Sequence, residues 1–434
     1  MRDHGPSVVV SGEGIYFTDD EGRRIIDGMS GLGCTSLGYG QRRLADAAHA
    51  QMMTLGYSPI YDARTHPMVV DLAEKLLAMA PVPMSKVLFQ SSGSEANDTA
   101  IKLIWYTNNA RGLPDKKKII GRHRGYHGNT VAAVSVSGQP QMHTDFDLPI
   151  DRFRHTDMPH YYRFHHDGET EEEFSARMAA NLEALILDEG PDTVAAFFAE
   201  PMQSGGGAIV PPAGYFDCIQ EVLAKYDILF LADEVIAGFG RTGNMWGSET
   251  FGLEPDMVSC AKALTAAHFP MSALMVNETI YEALLVESEK VGVFGHGYTY
   301  AGHPVGAAVA LETLAIYEDM HMLDHVRHMS KRFQGGLNAL ADHPLVGEVN
   351  AIGLFAGIEL VRDKKTREPY DPALKLGKRV EAHAYARGIY MRNTGDRARL
   401  MPPLIISEEE MDVLLAAFAG ALDDVWSEVR GKRA

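Results

Sequence analysis

Four short apolar runs, each followed at once by polar or glycine-rich residues, limit the fold of this chain more than any other feature. They are apolar on both faces, as buried parallel strands are, and they comprise Lys86–Phe89, Ala195–Ala199, Ile228–Ala232 and Met257–Cys260. Helical stretches alternate with such runs from about residue 60 to 310, which predicts an α/β fold with a mostly parallel sheet flanked by helices. Since ligands bind beyond the carboxyl ends of strands in open sheets of this kind, these four strand ends predict one shared site.

The first strand end has the features of a phosphate site. Ser92 and Glu95 have the spacing of a capping box, which places a helix start here. Unpaired amides at a helix N-terminus bind anions, and Gly93 allows a close approach to the backbone. An ordinary capped helix would give the same pattern, so this motif alone leaves both interpretations open.

The third and fourth strand ends carry an acid and a base. Asp233 follows a buried run, and a buried carboxylate needs a partner to offset its desolvation; a protonated pyridine nitrogen would be one. A salt bridge or a helix cap is the alternative. Lys262 lies at an enclosed strand end, where a lowered pKa favours the nucleophilic amine of a Schiff base. A plain surface lysine is the alternative there.

Charge, cysteine content and hydropathy exclude several other classes. The formal charge of −18 argues against nucleic acid as a partner. Cys34, Cys218 and Cys260 are too few and too scattered for a disulfide scaffold or a structural zinc site. No apolar run reaches membrane-spanning length, and the start of the chain lacks a secretory pattern, so we expect no membrane association and a cytoplasmic location.

Two further patterns suggest other cofactors. Gly238–Gly243 matches the dinucleotide fingerprint G-x-G-x-x-G, but the chain reaches Pro255 without a clear helix. A nicotinamide-dependent oxidoreductase therefore stays only as an alternative from a different class. The spacing of four histidines fits no trusted ligand pattern, so we predict no metal site; they are His155, His160, His165 and His166.

The two ends of the chain predict a second, smaller α+β domain. Residues 1–60 contain a β-rich lead-in and a helix near Leu44–Met53, and residues 311–434 contain helices and two strand-like runs, Gly353–Leu360 and Gly388–Leu404. We therefore predict that residues 1–60 and 311–434 form the smaller domain, and that residues 61–310 form the larger one.

Together, these residues resemble the class III aminotransferases, which are fold type I enzymes that use pyridoxal 5'-phosphate (PLP) and include the omega-amino-acid–pyruvate transaminases. The resemblance extends from about Gly12 to Pro403 and is specific in its combination of motifs. The motifs are SSGSEAND at 91–98, RGYHG at 124–128, FFAEP at 197–201, LADEVIAGFGRTGNMWG at 231–247, SCAKAL at 259–264 and FGHGYTYAGHP at 294–304.

The resemblance implies cofactor contacts within one subunit. Gly93 and Ser94 are expected to bind the cofactor phosphate. Tyr126 is expected to stack on the pyridine ring, Val235 to pack against its other face, and Glu200 to orient the site through hydrogen bonds.

It also implies the reacting pair and a second subunit. Asp233 is expected to contact the ring nitrogen, and Lys262 to carry the cofactor as a Schiff base. Thr299, with Tyr298, is expected to reach the phosphate of the neighbouring subunit, which implies a homodimer or a dimer of dimers with shared active sites.

A substrate arginine is implied before a Pro-Pro pair. In omega-transaminases a mobile arginine there binds a carboxylate, and counting back from Pro402-Pro403 gives Arg392. A guanidinium suits the task because its donor fork matches a carboxylate. Arg397 and Arg399 lie nearby and are the competing candidates.

The chain departs from the family at Gly33, where many relatives have a bulky aromatic residue. The small residue is expected to enlarge the substrate pocket on that side, unless Tyr57 or Tyr61 fills the space. We therefore count Gly33 and Tyr61 with Arg392 as substrate-pocket residues.

The reaction that the resemblance implies is a ping-pong transamination. A small-molecule amine or omega-amino acid donates its amino group, and a keto acid, with pyruvate as the first candidate, accepts it. An aminomutase or a decarboxylating transaminase of the same fold is the nearest alternative.

Overall fold

The structure is a computed structural model of the chain, and it describes residues 7–430. Its strands are β1 (Val9–Glu13), β2 (Tyr16–Asp19), β3 (Arg24–Asp27), β4 (Lys86–Gln90), β5 (Lys118–Arg122), β6 (Phe153–Thr156), β7 (Val194–Ala199), β8 (Leu229–Asp233), β9 (Met257–Cys260), β10 (Ser272–Val276), β11 (Val346–Ile352), β12 (Phe355–Leu360), β13 (Ile389–Tyr390), β14 (Arg392–Thr394) and β15 (Arg397–Leu400).

The helices alternate with these strands through the middle of the chain. They are α1 (Ser30–Gly33), α2 (Arg42–Leu55), α3 (Pro67–Ala78), α4 (Gly93–Ala110), α5 (Val131–Val136), α6 (Tyr161–Phe164), α7 (Glu171–Glu189), α8 (Tyr215–Lys225), α9 (Gly247–Phe251), α10 (Glu278–Val291), α11 (Pro304–Asp319), α12 (Met322–Asn338), α13 (Leu376–Ala386) and α14 (Glu408–Val429). Among the described residues, none of these helices combines the length and the apolar content that a bilayer crossing requires.

Contacts divide the chain into two compact units. The larger unit contains Leu44–Phe239 and Asn244–Ile316. The smaller unit contains the chain up to Arg43, the short segment Gly240–Gly243 and the chain from Tyr317 onward. The domain limits predicted at residues 60 and 310 stay a prediction.

The larger unit is built on a seven-stranded sheet in the order β4-β10-β9-β8-β7-β5-β6. The pairs from β9 to β6 are parallel, which confirms the predicted mostly parallel α/β sheet. The expectation for the first run was wrong in one respect: β4 pairs with β10, and that pairing is antiparallel. Because β10 is also antiparallel to β9, β4 still ends at the same edge as the parallel strands.

Each face of this sheet buries its own apolar core. Successive side chains of a strand point to opposite faces, so Phe198 and Leu229 belong to one core cluster while Phe197 and Phe230 belong to the other. Both faces are therefore covered, as the continuous apolar runs predict.

The smaller unit contains two four-stranded sheets, in the orders β1-β2-β3-β13 and β11-β12-β15-β14. β13, from the C-terminal part, pairs in parallel with β3, from the N-terminal part. Both ends of the chain thus build one α+β unit, as the sequence predicts.

Candidate active site

The carboxyl edge of the larger unit's sheet brings the predicted polar residues together. Asp233 ends β8 and lies opposite Ser259 of β9 in the parallel register. Glu200 follows β7 directly, and Lys262 follows β9 after one residue. The polar residues that follow the strands in the sequence therefore lie at one edge of the sheet, as the sequence predicts.

Asp233 is held by a buried hydrogen-bond network. Its Oδ2 accepts from Asn97 Nδ2 at 2.8 Å and lies 2.9 Å from His127 Nδ1. Its Oδ1 accepts from the Val235 amide at 3.1 Å. The Asp233 side chain is only 4% exposed, so these donors offset the desolvation of a charged carboxylate.

Asn97 and His127 are functional candidates that the sequence argument missed. The Asn97 amide also donates to the His127 carbonyl at 2.7 Å, and the His127 amide donates to Ser137 Oγ at 2.8 Å. Both residues lie inside quoted motifs, SSGSEAND and RGYHG. Asn97 is four residues after Gly93, one helical turn into α4. That spacing is a usable signal, whereas the link from His127 to Asp233 has none in the sequence.

The helix α4 begins at Gly93, as predicted, and its first turn is capped. Ser92 Oγ accepts from the Glu95 amide at 3.2 Å, but the Glu95 carboxylate accepts from Ser91 N at 2.7 Å and not from Ser92 N. The first intrahelical bond runs from Ala96 N to Ser92 O at 3.0 Å. The amides of Gly93 and Ser94 precede that bond, where a helix N-terminus can receive an anion.

Glycines allow close packing around this helix start. A Cβ at Gly93 would lie 3.0 Å from Val235 Cγ2. A Cβ at Gly128 would lie 2.7 Å from Ser94 Oγ, and the Asn129 amide donates to that oxygen at 3.0 Å. Both neighbouring segments therefore approach the helix start more closely than a Cβ at either glycine would allow.

Glu200 anchors the segment that carries Tyr126. Glu200 Oε1 accepts from the Tyr126 amide at 3.0 Å, and Oε2 accepts from the amide and the hydroxyl of Ser204, both at 2.9 Å. Burial, with the negative charges of Asp233 and Glu200, raises the pKa of the Tyr126 phenol. A Cβ at Gly205 would lie 2.7 Å from Tyr126 Cβ, so glycine is needed beside the ring.

Lys262 has a strained backbone. Its φ is +48°, in the left-handed region, and it begins the short 3-10 turn Lys262–Thr265 with a half-buried side chain. Such non-glycine residues persist where the surroundings over-determine them, often at functional sites. The role of its amine stays a prediction.

The predicted residues fit the cofactor that the resemblance implies. A helix N-terminus with a serine suits a phosphate, and a buried carboxylate suits a pyridinium nitrogen. Among the described residues, Asn97 Oδ1 and His127 Nε2 are buried polar atoms with no hydrogen-bond partner. Both side chains bond Asp233 Oδ2 through their other polar atoms, Asn97 Nδ2 and His127 Nδ1.

The segment predicted to serve the neighbouring subunit lies at the surface. The Thr299 carbonyl accepts from the Tyr57 hydroxyl at 3.0 Å, and the Tyr298 hydroxyl lies 3.5 Å from both Thr99 Oγ1 and Glu95 O. A Cβ at Gly297 would lie 2.0 Å from the Tyr61 hydroxyl, so the Tyr61 ring covers Gly297. Their roles toward a partner or a substrate stay predictions.

Gly33 and Arg392 belong to the smaller unit. Gly33 is buried and has φ +75°. Arg392 begins β14 opposite Arg399 of β15 and is half-buried. Of the two competing arginines, Arg397 is bound by two carboxylates, at 2.7 Å from Glu348 and 3.0 Å from Glu359.

A cavity of about 700 Å³ lies in the smaller unit next to the Gly33 segment. Leu32 and Tyr390 line it with apolar surface, and Asp27 and Tyr39 add polar groups. Most ligand cavities are lined in this way, by apolar side chains with a few polar ones.

The dinucleotide fingerprint has no dinucleotide context. β8 ends at Asp233, and Gly238–Gly243 lies beyond it in a series of turns, with no helix starting at its glycines. The amides of such a segment do not form a helix N-terminus for a pyrophosphate.

Comparisons with known proteins agree with the geometry. The family model Aminotransferase class-III matches residues 2–422. Vanillin aminotransferase of Capsicum annuum is 47% identical over 430 residues, 99% of this chain and 94% of the relative. Gamma aminobutyrate transaminase 3, chloroplastic, of Solanum lycopersicum is 46% identical over 425 residues, 98% of this chain and 82% of the relative.

A solved structure is similar throughout. The omega transaminase from Pseudomonas jessenii, in complex with PMP, superposes with a TM-score of 0.97 at 46% identity. The match covers 99% of this chain and 94% of that one.

Proposed function

The chain belongs to the class III aminotransferases, and from that premise we propose that it moves the amino group of a primary amine or omega-amino acid to pyruvate. Transfer of amino groups and dependence on PLP are properties of the family. The use of the cofactor by these particular residues, the amine donor and the acceptor are the proposed parts.

The observation that carries the proposal is the arrangement around Asp233. Among residues 7–430, two donors, Asn97 and His127, occupy Oδ2, while Oδ1 receives only the Val235 amide. Since each carboxylate oxygen has two acceptor positions, Oδ1 keeps one for the ring nitrogen of PLP. A carboxylate held in this place would form a charge-assisted hydrogen bond with a protonated ring nitrogen.

Bound PLP supplies an aldehyde for the substrate amine and a cationic ring that withdraws electrons. The Lys262 amine holds the cofactor between turnovers and, once displaced, moves a proton away from the substrate carbon that bears the nitrogen. Asp233 holds the proton on the ring nitrogen. The amides of Gly93 and Ser94 bind the phosphate, and Glu200 keeps the Tyr126 segment in place.

The proposed donor class follows from the relatives and from the cavity. The two plant relatives are named for gamma-aminobutyrate and for vanillin. One is a terminal amine and the other an aromatic aldehyde, and both belong to couples of an aldehyde and a primary amine. The cavity beside Leu32 and the missing side chain at Gly33 leave room for an apolar group. We therefore favour primary amines with a carboxylate or an aryl-alkyl substituent.

The acceptor is proposed to bind through Arg392. Arg397 is committed to Glu348 and Glu359, which favours Arg392 over Arg397 for a keto-acid carboxylate. Arg399, opposite Arg392 in the strand pair, is the remaining competitor. A guanidinium binds a carboxylate with two parallel hydrogen bonds. Pyruvate is the smallest keto acid that meets this requirement.

The working unit is proposed to be a homodimer in which Thr299 and Tyr298 serve the partner's phosphate site. Tyr57 and Tyr300 pack edge to face beside Thr299 with centroids 6.2 Å apart, and they are 44% and 63% exposed. Exposed aromatic groups of this kind mark association surfaces. Light scattering of the purified protein measures its oligomeric state. A stable monomer with full activity would contradict the proposed homodimer.

The reaction is tested with the purified protein and PLP. Primary amines are incubated with pyruvate, and alanine and the carbonyl product are measured while the visible absorbance of the bound cofactor is followed. We expect alanine in equal amount to the carbonyl product. Release of carbon dioxide would favour a decarboxylating transaminase, and isomerisation without a keto acid would favour an aminomutase. No alanine with any amine would reject the proposal.

A further inference from the structure

The Ser30–Gly33 segment, called the substrate turn below, has an unusual backbone. Ser30 has φ +47°, Gly31 φ +63° and Gly33 φ +75°, all in the left-handed region. The turn is assigned as α1, but its inner residues have non-helical dihedrals. A serine in this conformation is strained, and strain persists only where other contacts hold it.

On one side, Asp27 holds the turn. Its carboxylate accepts from the Gly31 amide at 2.6 Å, the Met29 amide at 3.1 Å and the Tyr39 hydroxyl at 2.8 Å. Asp27 is buried, and burial raises the pKa of its carboxyl group against the effect of these hydrogen bonds. One carboxylate therefore fixes the backbone immediately before and within the turn.

On the other side, the guanidinium of Arg241 holds it. Arg241 is 3% exposed, and its Nη2 donates to Ser30 Oγ at 3.3 Å. Its Nη1 donates to the carbonyls of Pro402 at 2.6 Å and Leu354 at 3.1 Å. Burial lowers the pKa of Arg241 to about 10, so the group is still a cation at neutral pH.

Arg241 also connects the turn to the strands that carry Arg392. Ser30 Oγ donates to the Met401 carbonyl at 2.7 Å, and Pro402 follows directly. Met401 follows β15, the partner of β14, which begins with Arg392. One side chain therefore bonds the turn that contains Gly33 and the chain end that positions the arginine strand.

The contact at Arg241 is closely packed through its backbone as well. The Leu354 amide donates to the Arg241 carbonyl at 3.1 Å. A Cβ at Gly353 would lie 2.2 Å from that carbonyl oxygen, and Gly353 has φ +54°. Arg241 and Leu354 therefore bond each other in both directions, which restricts the Arg241 side chain. An exposed arginine side chain would populate many rotamers.

A buried guanidinium is costly compared with an apolar side chain of the same length. Its several N–H groups, however, can donate to several carbonyl oxygens at once, which an apolar side chain cannot do. We propose that Arg241 is the positioning residue that fixes the substrate turn against the Arg392 strands and so sets which amines and keto acids are accepted. The inference rests on the proposed function, and it gives the Gly238–Gly243 fingerprint a role unrelated to nucleotides.

The test compares Arg241→Met with Val425→Ala, both in the smaller unit. Val425 is buried in α14 and has no polar side-chain atom, so its truncation leaves a cavity in the unit but removes none of the hydrogen bonds of the turn. For Arg241→Met we expect the KM for pyruvate to rise and the ratio of kcat/KM for bulky and small amines to change, each by roughly tenfold. The affinity for PLP, measured by its visible absorbance, stays within about twofold of the wild type, because the cofactor residues lie in the larger unit.

A second measurement needs no turnover. The amides of Gly33 and Cys34 donate to the carbonyls of Met29 and Ser30 at 3.0 Å and 2.8 Å. Hydrogen exchange in a peptide that covers the turn is expected to become faster in Arg241→Met, and to keep its wild-type rate in Val425→Ala. Ser30→Ala removes the bonded hydroxyl alone and is expected to shift the amine ratio in the same direction, by a smaller factor.

An unchanged amine ratio and an unchanged exchange rate in a folded Arg241→Met protein would overturn the inference. If that variant does not fold, Ser30→Ala and Arg241→Lys decide: wild-type ratios and exchange in both would overturn it. Failure of the proposed function is distinct, because it appears as no alanine from the wild-type enzyme, and the exchange measurement still tests the turn.

Discussion

The proposed cofactor side and the proposed substrate side of this enzyme are built in different ways. Asp233 lies at the end of a regular strand. Its carboxylate is bonded by Asn97 of a helix, by His127 of a loop and by the amide of Val235, two residues further on. The substrate turn has left-handed residues and is held by two buried charges, Asp27 and Arg241. The proposed cofactor residues thus depend on regular secondary structure, whereas the turn depends on hydrogen bonds between residues far apart in the chain.

The largest effect is expected at Lys262, on the cofactor side. Lys262→Ala removes the only amine proposed to hold the cofactor, so turnover should fall by roughly a thousandfold or more. Borohydride reduction followed by peptide mass mapping should label Lys262 in the wild type and leave the variant unlabelled. Lys116→Ala is the control, because Lys116 is a buried lysine of the same unit whose amine donates to Tyr226 O at 3.1 Å and pairs with the Asp227 carboxylate at 3.5 Å. Normal turnover in Lys262→Ala would reject the assignment.

Asp233→Asn should come next. Without the charge, the ring nitrogen loses its proton and turnover falls roughly a hundredfold, with weaker retention of PLP on dialysis. Asp256→Asn is the matched control, since Asp256 also accepts an asparagine amide, from Asn277 at 2.9 Å, but lies outside the site. A near-normal rate for Asp233→Asn, with the control also normal, would remove Asp233 from the chemistry.

His127 should have a smaller effect that acts through Asp233. His127→Ala removes one of the two donors to Oδ2, which is expected to weaken PLP binding and slow turnover by about tenfold. The pH dependence of the cofactor's visible absorbance should shift as well, because Asp233 becomes less able to hold the ring proton. His155→Ala is the control: His155 is half-buried, bonds the Val136 carbonyl at 3.1 Å, and has its pKa lowered to about 4 by burial and by His123 and His143. The same pH dependence of the cofactor's absorbance in His127→Ala and His155→Ala would contradict the role of His127.

The smallest effect on the chemistry is expected at Gly33, on the substrate side. Gly33→Trp should reduce kcat/KM for bulky amines by roughly tenfold relative to small ones. Because Gly33 has φ +75°, any side chain there adds strain, so Gly33→Ala serves as the control for backbone cost without bulk. The same relative rates in Gly33→Trp, Gly33→Ala and the wild type would exclude Gly33 from the pocket.

The sequence predicted the positions of the proposed cofactor residues at strand ends, because the signals for those positions are local. A buried run followed by a polar residue identifies β7, β8 and β9 with Glu200, Asp233 and Lys262. The Ser92 cap marks the start of α4 within a single turn. Hydrophobic pattern and capping chemistry act over a few residues, so a single sequence contains them.

The remaining features depend on residues far apart in the chain. The run Ser272–Val276 is apolar on both faces whichever way it points, so its antiparallel insertion between β4 and β9 left no signal. His127 meets Asp233 across 106 positions, and Arg241 meets Ser30 across 211. The fingerprint at Gly238–Gly243 is the opposite case. Its local pattern resembles a nucleotide-binding loop, but the segment forms a series of turns without the helix start that such a loop requires.

The antiparallel insertion of β10 has a consequence for biosynthesis. Within the described chain, β4 has β10 as its sheet neighbour, and Ser272 Oγ donates to the Ser92 carbonyl at 2.7 Å, directly before the start of α4. On the ribosome, the proposed phosphate-binding end of α4 therefore lacks this hydrogen bond until some 180 further residues have emerged. Nascent chains are expected to capture the vitamin-derived cofactor only late in translation or after release, since such long-range pairing forms slowly.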